Sequence, residues 1–156
     1  MTASEREDFV LDEQLCFALH NASRAMTGCY RPLLERIGLT YSQYAAMLVL
    51  WEVESTTLGT LGTRLALDSG TLSPLLKRLE THGLLTRERR PEDERTVQVT
   101  LTDAGRALRE EAEVAQAQVA DGTGMTLDER AAMRDQLQAL TARLRAAEDQ
   151  AGAASA

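Results

Sequence analysis

Aromatic residues make up only 4% of this 156-residue chain, one Trp, three Tyr and two Phe. A core built on Ala and Leu instead suits a mostly helical protein. Cysteine is nearly as scarce. Cys16 and Cys29 are too few for a disulfide framework, and they share no zinc-ligand spacing with the two histidines, His20 and His82. The chain has no Gly-rich phosphate loop, no Gly-x-Ser-x-Gly and no recognisable nucleophile triad, so neither cofactor nor metal is expected and the pattern is not that of an enzyme. No apolar run reaches membrane-spanning length and the acidic N-terminus lacks a secretory pattern, so the chain reads as cytoplasmic, without a membrane partner. A net charge of -7 argues against an indiscriminate nucleic-acid coat. It leaves room for a local basic surface, because Lys77, Arg78, Arg87, Arg89, Arg90 and Arg95 fall in one segment. The acidic residues concentrate towards the two ends.

The segment around those cations organises the chain. Leu72, Leu75, Leu76 and Leu79 recur at i, i+3, i+4 and i+7, one apolar face of a helix. Asp68 or Ser69 can cap its start and Gly83 can end it. The other face carries Ser69, Thr71, Ser73, Lys77 and Arg78, which are hydrogen-bond or charge donors. Taken alone this is a solvated surface helix. Its downstream neighbours change that reading. Leu84 to Arg90 reads as a short strand, and Thr96 to Leu101 as a second, with Val97, Val99 and Leu101 alternating. Between them lies the polar loop RPEDER. Helix, strand, charged loop and strand is the order of a winged helix-turn-helix, which would place the helix in a DNA major groove and Arg95 in a minor groove. Asp93 then supports the wing. Arg95 could equally pair locally with Asp93 or Glu94. Asp68 could accept from a cytosine amino group or only cap, and Arg87 at the wing's base is a candidate phosphate ligand.

The remaining segments flank this unit. Asp12 reads as the cap of a first helix bearing Leu15, Leu19, Ala22 and Met26, which Pro32 should bend or break. Thr40 and Gln43 form a capping box for a second helix to about Val53, apolar almost all round. Thr57 caps a third, with Ala66, Leu67 and Asp68 as the turn of a helix-turn-helix. Thr102 caps a long helix to about Ala120, and Thr126 with Glu129 opens the last one. That helix carries Met133, Leu137, Leu140 and Leu144 in a stripe with no partner inside a compact winged helix. The expectation is a mainly α protein with a small β-wing: a single domain over 10–150, with disordered ends at 1–9 and 151–156. The winged helix-turn-helix spans about 40–101, and dimerisation helices span about 12–37 and 102–147. A reader of this type engages DNA as a two-fold dimer.

Cys16, about one turn inside the first helix, sits where backbone N–H groups attract an anionic sulfur. His20 at i+4 reinforces this when protonated, and Asp12 at i-4 opposes it. By itself a cysteine on an apolar helix is an inert small hydrophobe, and His20 a surface or interface residue. Thirteen residues of helix would hold Cys16 and Cys29 ~20 Å apart, too far for a bridge within one chain.

Together these residues resemble the MarR family of winged-helix repressors, and within it the organic-hydroperoxide sensors of the OhrR type. The resemblance covers most of the chain, from about Leu11 to Arg109. It rests on the wing signature Asp93-Glu94-Arg95, on the segment from Leu67 to Leu75, and on Leu15-Cys16-Phe17-Ala18-Leu19 with Tyr30-Arg31-Pro32 and Leu39-Thr40-Tyr41. It implies a homodimer that binds operator DNA when reduced and blocks a peroxide-detoxification gene. It implies that Cys16 is the sulfur oxidised by an organic hydroperoxide, and that Tyr30 and Tyr41 hydrogen-bond that sulfur across the dimer interface. His20 stands where a further tyrosine often lines the sensor pocket. Sensors of this type with a distal cysteine resolve through it, and this chain lacks one, so a small cellular thiol is the expected resolving agent, with an intersubunit bridge to Cys29 the other route. Two other readings compete. One is a regulator of the same fold released by a small phenolic ligand, with Cys16 incidental. The other is a thiol peroxidase turning over on Cys16, which would leave the wing unexplained.

Overall fold

The computed structural model describes residues 9–154. The chain divides at Val119/Ala120 into two compact units. In the first, a 3-10 turn at Leu11–Glu13 leads into α1 (Leu15–Arg36), followed by α2 (Tyr41–Val53), β1 (Ser55–Thr57), α3 (Leu58–Leu65) and α4 (Ser69–Thr81). Strands β2 (Leu85–Arg90) and β3 (Asp93–Leu101) come next, then α5 (Asp103–Ala107) and α6 (Arg109–Gly122), whose last turn belongs to the second unit. The sheet runs β1-β3-β2 and is antiparallel throughout, with Ser55 opposite Thr100 and Leu85 opposite Leu101. Leu34, Met47, Leu50, Leu61, Leu72, Leu76, Leu79, Leu85 and Val99 are wholly buried and form one core. Each such side chain contributes roughly 1.5–3 kcal/mol by leaving water.

Local signals fix most of the boundaries. The Thr40/Gln43 capping box closes in both directions, at 3.3 and 2.8 Å. Thr57 accepts from the Thr60 N–H, and Asp68 from that of Thr71. Helix α4 ends at His82, and the following Gly83 takes φ +72°, a conformation that favours glycine. Helix α2 is buried on most sides, although Leu48 and Val53 are exposed.

Five expectations are corrected. Asp12 does not cap α1; it lies in the 3-10 turn, whose Leu11 carbonyl accepts from the Gln14 N–H, and Gln14 is the N-cap, its side chain donating back to the Val10 carbonyl rather than capping. Pro32 does not break α1, which continues through it to Arg36. A proline at this place removes one N–H, that to the carbonyl of Gly28, and both residues lie on the exposed surface where water can serve that carbonyl. The helix after Thr102 is divided at Leu108, which keeps right-handed helical angles, so α5 and α6 stay nearly continuous. The wing loop shrinks to Pro91-Glu92, because β3 starts at Asp93 with a register shift beside Arg90. The tail helix runs to Ala154, so Ala151, Gly152 and Ala153 are helical rather than disordered. Residues 1–8 and 155–156 lie outside the described residues, and with them most of the expected disordered ends.

A joint ties α5 to the winged helix. The buried Trp51 indole N–H donates to the Gly105 carbonyl at 2.8 Å. Thr102 donates its hydroxyl to the Gly83 carbonyl and accepts from the Gly105 N–H. A Cβ on Gly105 would stand 2.1 Å from the Leu84 carbonyl oxygen, so helix and strand entrance touch backbone to backbone. In the second unit, Gly124 takes φ +67° after α6 and the Thr126/Glu129 capping box opens α7 (Leu127–Ala154). Met133, Leu137 and Leu144 on α7 are exposed.

Candidate functional site

Helix α4 turns its leucines into the core and leaves Ser69, Thr71, Lys77 and Arg78 exposed, with Ser73 half-buried beside the apolar face. Asp68 is spoken for at the helix entrance. One carboxylate oxygen accepts from the Thr71 N–H at 2.8 Å and the other from its hydroxyl at 3.1 Å. Those bonds hold the Asp68 carboxyl below the usual carboxylate range.

The wing is a two-residue hairpin braced from three sides. At its base, Glu80 of α4 grips Arg87 of β2. One Glu80 oxygen accepts the Arg87 backbone N–H at 3.0 Å, and the other accepts Nε at 3.1 Å and Nη2 at 2.9 Å. Arg87, expected to reach phosphate, is therefore committed to this carboxylate, and its side chain is only 23% exposed. In the middle, Arg90 donates to Gln98 at 2.9 and 2.6 Å, Gln98 donates to the Ser55 hydroxyl at 2.7 Å, and Ser55 contacts the Thr100 hydroxyl at 2.7 Å. This ladder crosses all three strands. At the tip, Asp93 accepts from the Thr96 hydroxyl at 2.7 Å and from the Arg95 backbone N–H at 3.1 Å. The hydroxyl and amide hydrogen bonds lower the Asp93 carboxyl from its ordinary value. Asp93 thus shapes the turn through the backbone, and Arg95 is exposed at its end.

Cys16 is the second residue of α1, closer to the helix start than expected, and it is exposed, as are Cys29 and His20. Both cysteines are free. Tyr30 and Tyr41 meet with ring centroids 5.5 Å apart, and Tyr44 joins them at 5.3 Å from Tyr30 and 6.1 Å from Tyr41. The two tyrosines named from sequence are brought together, but not with their own Cys16. Fourteen positions of unbroken α1 separate Cys16 from Tyr30, ~21 Å along the axis, three times the reach of a tyrosine side chain. Burial pushes the Tyr30 and Tyr44 hydroxyls above the usual tyrosine range.

Sequence reasoning missed Tyr44, Glu80 and Gln98. Tyr44 lies one turn after Tyr41 on the same helix, and that i+3 spacing was the available signal. Glu80 and Gln98 offered none, because their partners are fixed by the α4–β2 turn and by strand register.

Residues 29–112 match the family of SarA/Rot transcriptional regulators. The chain is 53% identical over 102 residues to the organic hydroperoxide resistance transcriptional regulator of Bacillus subtilis, covering 65% of this chain and 69% of that one. Among solved structures it is similar to AbfR of Staphylococcus epidermidis. Reduced AbfR bound to DNA superposes with TM-score 0.73 at 38% identity, and overoxidised AbfR bound to DNA with 0.72 at 38%; each covers 86% of this chain and 94% of that one. Disulfide-formed AbfR matches with TM-score 0.64 at 35% identity, covering 86% and 92%.

Proposed function

The chain belongs to the MarR-type family of winged-helix transcriptional regulators, and from that premise we propose that it is a dimeric repressor whose grip on operator DNA is broken by oxidation of Cys16. The observation that carries the reading is the separation within α1. Cys16 is exposed at one end, the Tyr30–Tyr41–Tyr44 cluster lies ~21 Å away, and exposed apolar residues flank the cysteine: Val10, Leu11 and Leu15. A second copy brings sulfur and tyrosines together, and it also covers the Met133, Leu137 and Leu144 stripe of α7. In the dimer, α4 enters the major groove through Ser69, Thr71, Lys77 and Arg78, while Arg95 enters the minor groove.

The chemistry takes two steps. The Cys16 thiolate attacks the peroxide O–O bond, forming a sulfenic acid and releasing the alcohol. A small cellular thiol then condenses with the sulfenic acid, giving a mixed disulfide and water. The Staphylococcus structures bear on which product matters. Overoxidised AbfR was crystallised on DNA, so in that relative oxidation alone is compatible with the complex. Bulk at the interface, as in a disulfide, is therefore the favoured cause of release: a large polar adduct between apolar helices costs on the order of several kcal/mol.

The test is a gel shift with duplex upstream of the repressed gene, using the parent and Cys16→Ser with organic hydroperoxide plus a low-molecular-weight thiol. The parent should leave the DNA and the variant should stay. Release of Cys16→Ser refutes the thiol switch. One observation favours the phenolic-ligand reading, a groove of about 360 Å³ lined by Tyr44, Leu48, Trp51 and Arg109. Titrating the same complex with a salicylate-like ligand in the absence of oxidant separates the two.

A further inference from the structure

We propose that Glu80 is a positioning residue for DNA readout, locking the wing to the reading helix so that both grooves are engaged as one rigid unit; this rests on the chain being a DNA binder. The hairpin leaves the body of the protein at a defined point. Along β2, Leu85 is buried, Arg87 is half-buried and Glu88, Arg89 and Arg90 are exposed. Arg87 is thus the last β2 residue held against the core, and beyond it the hairpin that carries Arg95 is braced by the Arg90–Gln98–Ser55 ladder to β1. At that point the backbone N–H, Nε and Nη2 of Arg87 all donate to one carboxylate on α4.

Glu80 is well placed to pass on the helix's position. Its own carbonyl accepts the Gly83 N–H at 2.8 Å, so the same residue holds the turn out of α4 and the strand beyond it. Exposure of 35% for Glu80 and 23% for Arg87 shields the pair without burying it. Two hydrogen bonds from the guanidinium fix direction as well as distance, which a point charge would not. The wing tip is three residues on, ~10 Å along the strand, so a tilt of about 10° at Arg87 displaces it by ~2 Å. A minor groove only ~6 Å wide does not absorb that displacement without losing the arginine's contacts.

The consequence is a coupling between two residues that do not touch. Arg95 contributes its full share to binding while the Glu80–Arg87 clamp sets the angle at which the braced hairpin leaves α4. The test uses the full-length protein and a duplex that the parent enriches from a randomised library. Dissociation constants are measured for the parent, Arg95→Ala, Glu80→Gln and the double variant, with Arg87→Lys and its Arg95→Ala double as a second route. Thermal unfolding of each variant shows which are folded. In the parent, Arg95→Ala should weaken binding about tenfold. With Glu80→Gln or Arg87→Lys in place, the same change should cost less than about threefold. A purely structural role for Glu80 lowers the unfolding temperature and leaves the Arg95 penalty unchanged, and that result overturns the proposal. If Glu80→Gln does not fold, Arg87→Lys, which keeps the charge but not the fork, decides the matter. Absence of an Arg95 penalty in the parent overturns it as well. Failure of the parent to enrich any duplex refutes the DNA-binding reading itself, and this inference with it.

Discussion

Single residues here act through contacts that their identity does not advertise. Gly105 carries no side chain, yet it lets α5 meet the Leu84 carbonyl and presents its own carbonyl to Trp51. Replacing it with Ala drives a methyl group into backbone, which cannot rotate away. The expected outcome for Gly105→Ala is a loss of about 1–3 kcal/mol in denaturant unfolding, with helix content little changed. Neutral behaviour would show that α5 yields where the packing says it is fixed. The sequence offered no way to single this glycine out from the other nine. Its neighbour arrives from 21 positions upstream, and only the fold brings the two together. Arg87 is the reverse case: its charge was legible, but its partner was not.

Among elements, those governed by nearest neighbours were the most legible. The capping residues Thr40, Thr57, Asp68 and Thr126 all stand where the sequence put them, because a cap is a contract among four consecutive residues. Elements set by distant pairing were not legible. The three-residue β1 is a strand only because β3, more than forty positions later, pairs with it. The extra length of β3 likewise depends on a register shift at Arg90. Caps also make α4 sensitive to acid. Asp68 has its carboxyl depressed by bonds that exist only in the folded helix. A depressed carboxyl contributes stability above its unfolded value and loses it as pH falls through the folded one, so the contribution is present at neutral pH and fades below about pH 4. Asp68→Asn keeps a capping oxygen without a titrating proton. Its helical circular dichroism should therefore fall less steeply than the parent's between about pH 6 and pH 2.5. Parallel acid curves would deny Asp68 that part.

At the scale of the whole molecule, the winged-helix architecture was readable because it is an order of elements. The proposed assembly has a sequence signal only in a surplus of apolar residues at helical spacing. Met133, Leu137 and Leu144 leave such a surplus on α7, at 48%, 40% and 55% exposure. Changing Leu137 and Leu144 together to Glu should shift the protein to monomer in sedimentation equilibrium and weaken operator binding, since two half-sites need two reading heads. A dimer that survived both changes would place the interface elsewhere. The uninterrupted α1 has one more consequence under the proposed chemistry. Because α1 runs unbroken from Cys16 through Cys29, its two sulfurs never meet within a subunit, and no protomer can erase its own oxidation. The duration of the signal is then not a property of the protein. It is set from outside, by how much thiol the surroundings supply to make the mixed disulfide and later to strip it away.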